Sequence, residues 1–246
     1  MGKQAEIEYL GRIGDAGASH ARGKPFTDVN CGGMLTDLGA LFMLLPPPPA
    51  RLLDLGCGSG WTSLLFARHG YEVVGQDIAP AMIELAEASR VEAGLKNVRF
   101  VVSDYESLAF ADEFDCALFY DALHHAEDPA AALSSAARAL KPGGVLVTIE
   151  PGTGHAAAEH SRNAVTEYGV TERDMPPREI VRLARRAGFS GARVHPSPKV
   201  LAGVQYRMPR LERFPGYLSD LIRWLGLGYL TLVGKRRREG LVVLRK

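Results

Sequence analysis

Leu52-Leu53-Asp54-Leu55-Gly56-Cys57-Gly58-Ser59-Gly60 is a short apolar run that passes through one acid into three alternate glycines, with a helical pattern following at once. Glycine lets a chain leave a strand in left-handed conformations and puts no Cβ between backbone and ligand. The next helix can then offer bare N–H groups to an anion. The stretch therefore predicts a strand, a cofactor loop and a helix. A dinucleotide loop would need GxGxxG, but counting from Gly56 places Trp61 where the third glycine, which permits close helix–strand packing, should stand.

Outward from this loop, short apolar runs alternate with amphipathic segments, the pattern of a parallel sheet with helices on both faces. The predicted strands are 51–55, 72–76, 98–102, 114–120, 144–150, 191–195 and 240–245. Two helices open with proline in the first turn, at Pro80 and at Pro129 after the N-cap candidate Asp128; the latter helix ends at Leu140 before a Lys141-Pro142-Gly143-Gly144 turn. A further helix spans 177–187 and closes at Gly188. Upstream, Met34, Leu38, Leu41, Phe42 and Leu45 share one helical face until Pro46–Pro49 stop it. The boundary lies there, giving an N-terminal helical cap over 1–49 and an α/β domain over 50–246.

The loop has the form DxGxGxG and resembles motif I of the class I S-adenosylmethionine-dependent methyltransferases. Val73-Val74-Gly75-Gln76-Asp77, Val101-Val102-Ser103-Asp104-Tyr105-Glu106 and the fourth-strand run Phe114 to His125 resemble that family's later segments in the expected order. The resemblance covers roughly residues 51–196 and the last strand. It implies a Rossmann-like, doubly wound seven-stranded α/β sheet, mostly parallel with an antiparallel last strand. The final two strands would form a hairpin at the sheet edge, so about 199–238 is an insertion.

The resemblance also implies S-adenosyl-L-methionine as cofactor and a site for each of its parts. Gly56, Cys57, Gly58 and Gly60 would face its carboxylate end, with Asp54 near the ammonium or, alternatively, only closing the turn. Asp77 would accept from the ribose hydroxyls, a role compatible with capping the helix that follows. Asp104 and Tyr105 would meet the adenine beside Ile78, although Asp104 also reads as a turn residue and Ile78 as core. Tyr120 and the residues after it would approach the reactive methyl. An Asn-Pro-Pro-Tyr type of motif is absent there, which counts against amide or base-nitrogen acceptors.

Methyl transfer needs alignment above all, and a base only for acceptors such as a hydroxyl. His124 and His125 leave the fourth strand at the ligand edge and are the catalytic candidates; either could instead only tie the loop. His155 and His160 are a second pair for the acceptor pocket, with five-residue spacing that does not stack them as metal ligands. No metal is expected. Tyr9 and Phe26, in a polar, glycine-rich stretch, are expected to fold over the site as part of a lid.

In the 246 residues, 29 Lys and Arg face 28 Asp and Glu, a net charge of +1. No basic field for nucleic acid exists, so a small-molecule or sugar acceptor, free or lipid-linked, is expected, methylated at oxygen. Nitrogen or carbon methylation, and a non-catalytic binding module, are the alternatives. Cys31, Cys57 and Cys116 suit reduced thiols, and no signal-peptide pattern opens the chain, so the expected location is cytoplasmic. Residues 214–234 form an apolar run ending in Lys235-Arg236-Arg237-Arg238. It is expected to bury itself as a lid or dimer contact, with a peripheral contact to anionic membrane as the other reading.

Overall fold

A computed structural model describes residues 2–207, 216–232 and 239–246. Its centre is a seven-stranded sheet in the order β3-β2-β1-β4-β5-β7-β6. The strands are β1 (Arg51–Leu55), β2 (Glu72–Asp77), β3 (Val98–Val102), β4 (Phe114–Tyr120), β5 (Leu140–Glu150), β6 (Gly191–Pro196) and β7 (Gly240–Arg245). The first five pair in parallel, and β7 runs antiparallel between β5 and β6. The chain reverses direction in the sheet between β1 and β2 on one side and β4 on the other, and in open α/β sheets ligands bind at this switch point, beyond the strands' C-terminal ends.

Apolar side chains fill both faces of the sheet. One cluster joins Leu53, Phe114, Phe119, Leu133 and Ile180, beneath α5 (Pro129–Ala139) and α7 (Pro177–Arg186). The other joins Leu41, Leu52, Phe66, Tyr71 and Leu118, beneath α2 (Cys31–Leu44) and α3 (Trp61–His69). Such near-continuous apolar strands are what burial on both faces demands. The helix α4 (Pro80–Glu92) begins with its proline in the first turn, and Asp128 caps α5 by accepting from the amides of Ala130 and Ala131.

Two parts differ from the expected order. The Lys141–Gly144 turn is absorbed into β5: pairing jumps from Phe114 opposite Leu140 to Cys116 opposite Val145, with Gly143 at φ +78° allowing the bulge. A helix that sequence reasoning missed, α6 (Glu159–Tyr168), follows β5; it buries only Ser161 and so lacks the apolar stripe that reveals a helix.

Ahead of the sheet, α1 (Gly2–Gly23) bends at Gly14 (φ +64°) and lies along α4 and α6. Its residues reach the ligand edge: Lys3 pairs with Asp104 and Glu106 at 2.7 Å each, and the Ala21 carbonyl accepts from Ser59 in the glycine loop at 2.6 Å. The expected insertion contains α8 (Pro198–Ala202), a wide turn over Gly203–Arg207 and α9 (Gly216–Leu232). The basic run Lys235–Arg238 lies outside the described residues.

Candidate active site

The glycine loop is built around its neighbours. Gly56 sits at φ +68°, where a Cβ would come within 2.7 Å of the Ala122 Cβ, so backbone and the β4 exit can touch only because the side chain is missing. Gly60, at φ +78°, abuts Phe100 in the same way. The amide of Cys57 donates to the Gln76 carbonyl at 2.9 Å, that of Gly60 to the Cys57 carbonyl at 2.9 Å and that of Gly58 to the Asp77 carboxylate at 2.8 Å.

Asp77 therefore anchors the loop while facing the ligand edge. Its second oxygen accepts from the amide of Ala79 at 2.9 Å, and burial raises its pKa despite both bonds. Asp54 has a different place from that expected. It is buried under the loop, accepts from Thr62 and Ser63 hydroxyls at 2.6 Å each and does not line the cavity; burial pushes its pKa up to about 6. It fastens β1 to the first turn of α3.

A cavity of about 470 Å³ opens over this edge. Its walls bring together Gly56, Cys57, Gly58, Asp77, Ile78, Tyr105, Tyr120, His124 and His125 with Tyr9, His155 and His160. Gly60, Asp104 and Phe26 are not among them. Asp104 caps the turn after β3 and is held by Lys3, while Phe26 is 76% exposed. A second hollow of about 530 Å³ lies under α7 against β6, lined by Arg178, Arg185 and Arg193 and touching no part of the glycine loop.

In the wall of the first cavity the two adjacent histidines acquire different characters. The His124 ring is buried, with Nδ1 2.8 Å from the Glu150 carboxylate, which also accepts from the amides of Ala122, Leu123 and His124. With that carboxylate accepting, Nδ1 carries the hydrogen and Nε2 presents a lone pair. The His125 Nδ1 donates to the Thr171 carbonyl at 2.7 Å and lies 3.4 Å from Glu6. Burial alone would lower its pKa, but Glu6, with Glu172 and the Thr171 carbonyl, outweighs burial and pushes it up to about 9. His125 is therefore a cation at neutral pH.

Glu172 lies 3.7 Å from the His124 Nε2 and accepts from the His155 Nε2 at 2.6 Å. Among the described residues, ligand-type atoms of His124, His125 and Glu172 lie within 4.8 Å of one another, as do those of Asp121, His124 and Glu150. The metal expectation addressed only His155 and His160, and these two groupings escaped it. Tyr120 stacks edge-on to Trp61, and its hydroxyl stands 3.5 Å from the buried Asp37, whose pKa burial pushes up to about 6.

Sequence reasoning also missed Glu6, Asp121, Glu150, Glu172 and Lys199. Glu150 ends β5 at the same edge as Asp77 ends β2, and that position was its available signal. Glu6 and Glu172 arrive from α1 and from the segment between α6 and α7, where no local pattern announces a site. No described helix is long and apolar enough to cross a membrane.

Residues 53–148 match the family described as a methyltransferase domain. A ubiquinone biosynthesis O-methyltransferase from Xanthomonas axonopodis pv. citri is 39% identical over 104 residues, which is 42% of this chain and 43% of that one. The uncharacterized methyltransferase YcgJ of Bacillus subtilis is 38% identical over 101 residues, 41% of this chain and 40% of that one. The match thus spans less than half the length of these relatives. Among solved structures, an S-adenosylmethionine-dependent methyltransferase from Mesorhizobium loti aligns with a TM-score of 0.61 at 23% identity, over 86% of this chain and 98% of that one. Phosphoethanolamine N-methyltransferase 2 of Haemonchus contortus, bound to phosphomonomethylethanolamine and S-adenosylhomocysteine, aligns at 0.70 and 20% identity, over 100% and 60%. At these identities the two structures share the fold.

Proposed function

We propose that this chain, whose residues 53–148 match a methyltransferase domain, is a class I S-adenosylmethionine-dependent methyltransferase that transfers a methyl group to a hydroxyl of a small-molecule acceptor, with His124 taking the proton. The observation that carries this reading is one cavity whose walls hold the glycine loop and Asp77 together with an imidazole whose Nδ1 is committed to Glu150.

The residues present suit the family's cofactor. Asp77, fixed by two amides, leaves lone pairs for a ribose diol; Ile78, Met82 and Tyr105 offer apolar surface for a base; and the Gly58 backbone, with nothing within 4 Å of where a Cβ would stand, lines the same cavity. When bound, S-adenosylmethionine supplies a methyl group on a cationic sulfur. The protein's share is to hold the acceptor oxygen in line, keep water out and remove one proton. His124 removes it at Nε2, and the Glu150 carboxylate steadies the imidazolium that results. His125, already charged, holds Glu6 and with it the start of α1 against the cavity.

One observation favours a second acceptor class: Glu6, Asp121 and Glu172 line the same cavity and would hold an ammonium group, as an amine acceptor requires. The test is methylation of phenolic and of amine panels by the wild type and by His124→Ala. Loss of phenol methylation alone supports the hydroxyl reading; amine turnover that survives the substitution replaces it with the amine reading.

A further inference from the structure

Within the single chain, α9 does not bury the C-terminal apolar run as the lid form of the expectation requires. Tyr217, Leu221, Trp224, Leu225, Tyr229 and Leu232 recur at three- and four-residue spacing and are all exposed, Trp224 by 70% and Leu232 by 75%. They share one face of the helix. The face turned to the protein, against the 203–207 turn and β6, buries only Ser219 and Leu230, with Leu218, Ile222 and Leu227 half-buried, so all of the helix's aromatic side chains and part of its leucine surface face solvent. A stripe of this size on a soluble surface marks an interaction site.

Three features select its partner. Tyrosine and tryptophan among leucines are the residues that settle at a lipid–water boundary, with rings in the acyl region and polar tips outside. The helix brings no net charge against a membrane, because Arg223 pairs with Asp220 at 3.1 Å. Six residues beyond Leu232 the sequence has passed through four consecutive cations, Lys235 to Arg238, complementary to an anionic headgroup layer. At 17 residues and without a spanning segment, α9 suits a helix lying in the plane of the interface. We propose that the exposed face of α9 docks the protein on an anionic membrane surface.

The proposal is independent of the catalytic reading and is tested without turnover. The full chain is sedimented with phosphatidylcholine vesicles containing 30% phosphatidylglycerol, and with phosphatidylcholine vesicles alone, at low and high salt, while light scattering reports its mass without lipid. Docking predicts binding to the anionic vesicles at least tenfold above the neutral ones, weakened by salt. Trp224→Ser/Leu225→Asp should lose at least tenfold of this binding with an unchanged melting temperature, since both side chains already face solvent. Absent or salt-independent binding, equal binding to both vesicles, or binding undiminished in the variant overturns it. So does a stable dimer in solution that the same substitutions dissociate, which would make a second copy the occupant.

Discussion

Glu150 and His124 form a dyad in which a fully buried carboxylate, already holding three backbone amides, fixes the imidazole through Nδ1 at 2.8 Å. This arrangement leaves Nε2, 3.7 Å from Glu172, as the nitrogen free to take a proton and gives the two neighbouring histidines separate tasks. Replacing His124 by Ala should lower kcat on a hydroxyl acceptor by about 10²–10⁴-fold, the usual share of general-base catalysis. Glu150→Gln should lower kcat less than His124→Ala and leave cofactor affinity within a few-fold. Steady-state kinetics with separate cofactor titrations measures both.

His125 answers to pH at the other end of the range. Its pKa, raised to about 9, means that the ion pair with Glu6 is complete below the ordinary histidine value and is lost as pH rises through about 9. Protection of α1 amides against hydrogen exchange, with exchange rates corrected for pH, should fall across that range. Glu6→Gln should move the transition down; an unmoved transition would assign it to another group.

Two buried acids set a dependence of the same sign on the acid side. Asp54 and Asp37 are each pushed up to about 6 by burial, so the folded protein holds protons that the unfolded chain releases near pH 4. Stability therefore falls as pH rises from about 4 to 6, by the order of 3 kcal/mol for each group, and levels off above that. Urea denaturation across this range measures it. Asp54→Asn, which keeps an oxygen for Thr62 and Ser63, should remove its part of the slope.

Gly56→Ala tests the loop. The added methyl meets the Ala122 Cβ at 2.7 Å in a left-handed backbone, for a cost of about 1–3 kcal/mol in stability and a loss of cofactor binding larger than any loss of fold. Thermal melts and cofactor titration on the same variant separate the two.

How much of this was legible in the sequence follows from range. Strands β1 to β4 announce themselves by local apolar runs, and Gly56, Asp77 and His124 by standing at strand ends, so the order of the sheet's elements and the ligand edge were readable. Asp54 read as a cofactor contact because its motif position says nothing about Thr62 and Ser63 closing over it. Asp104 likewise gave no sign of Lys3, 101 residues away in the sequence, reaching its carboxylate. Glu172 and Glu6 depend wholly on tertiary placement. For α9, apolarity was visible, but which face the protein would cover was not.

The central claim is most directly tested by calorimetric titration of S-adenosylhomocysteine into the wild-type protein and into Asp77→Ala and His124→Ala. One site per chain with micromolar affinity is predicted, lost in Asp77→Ala and kept in His124→Ala. No binding by the wild type, or equal binding by all three proteins, would contradict it.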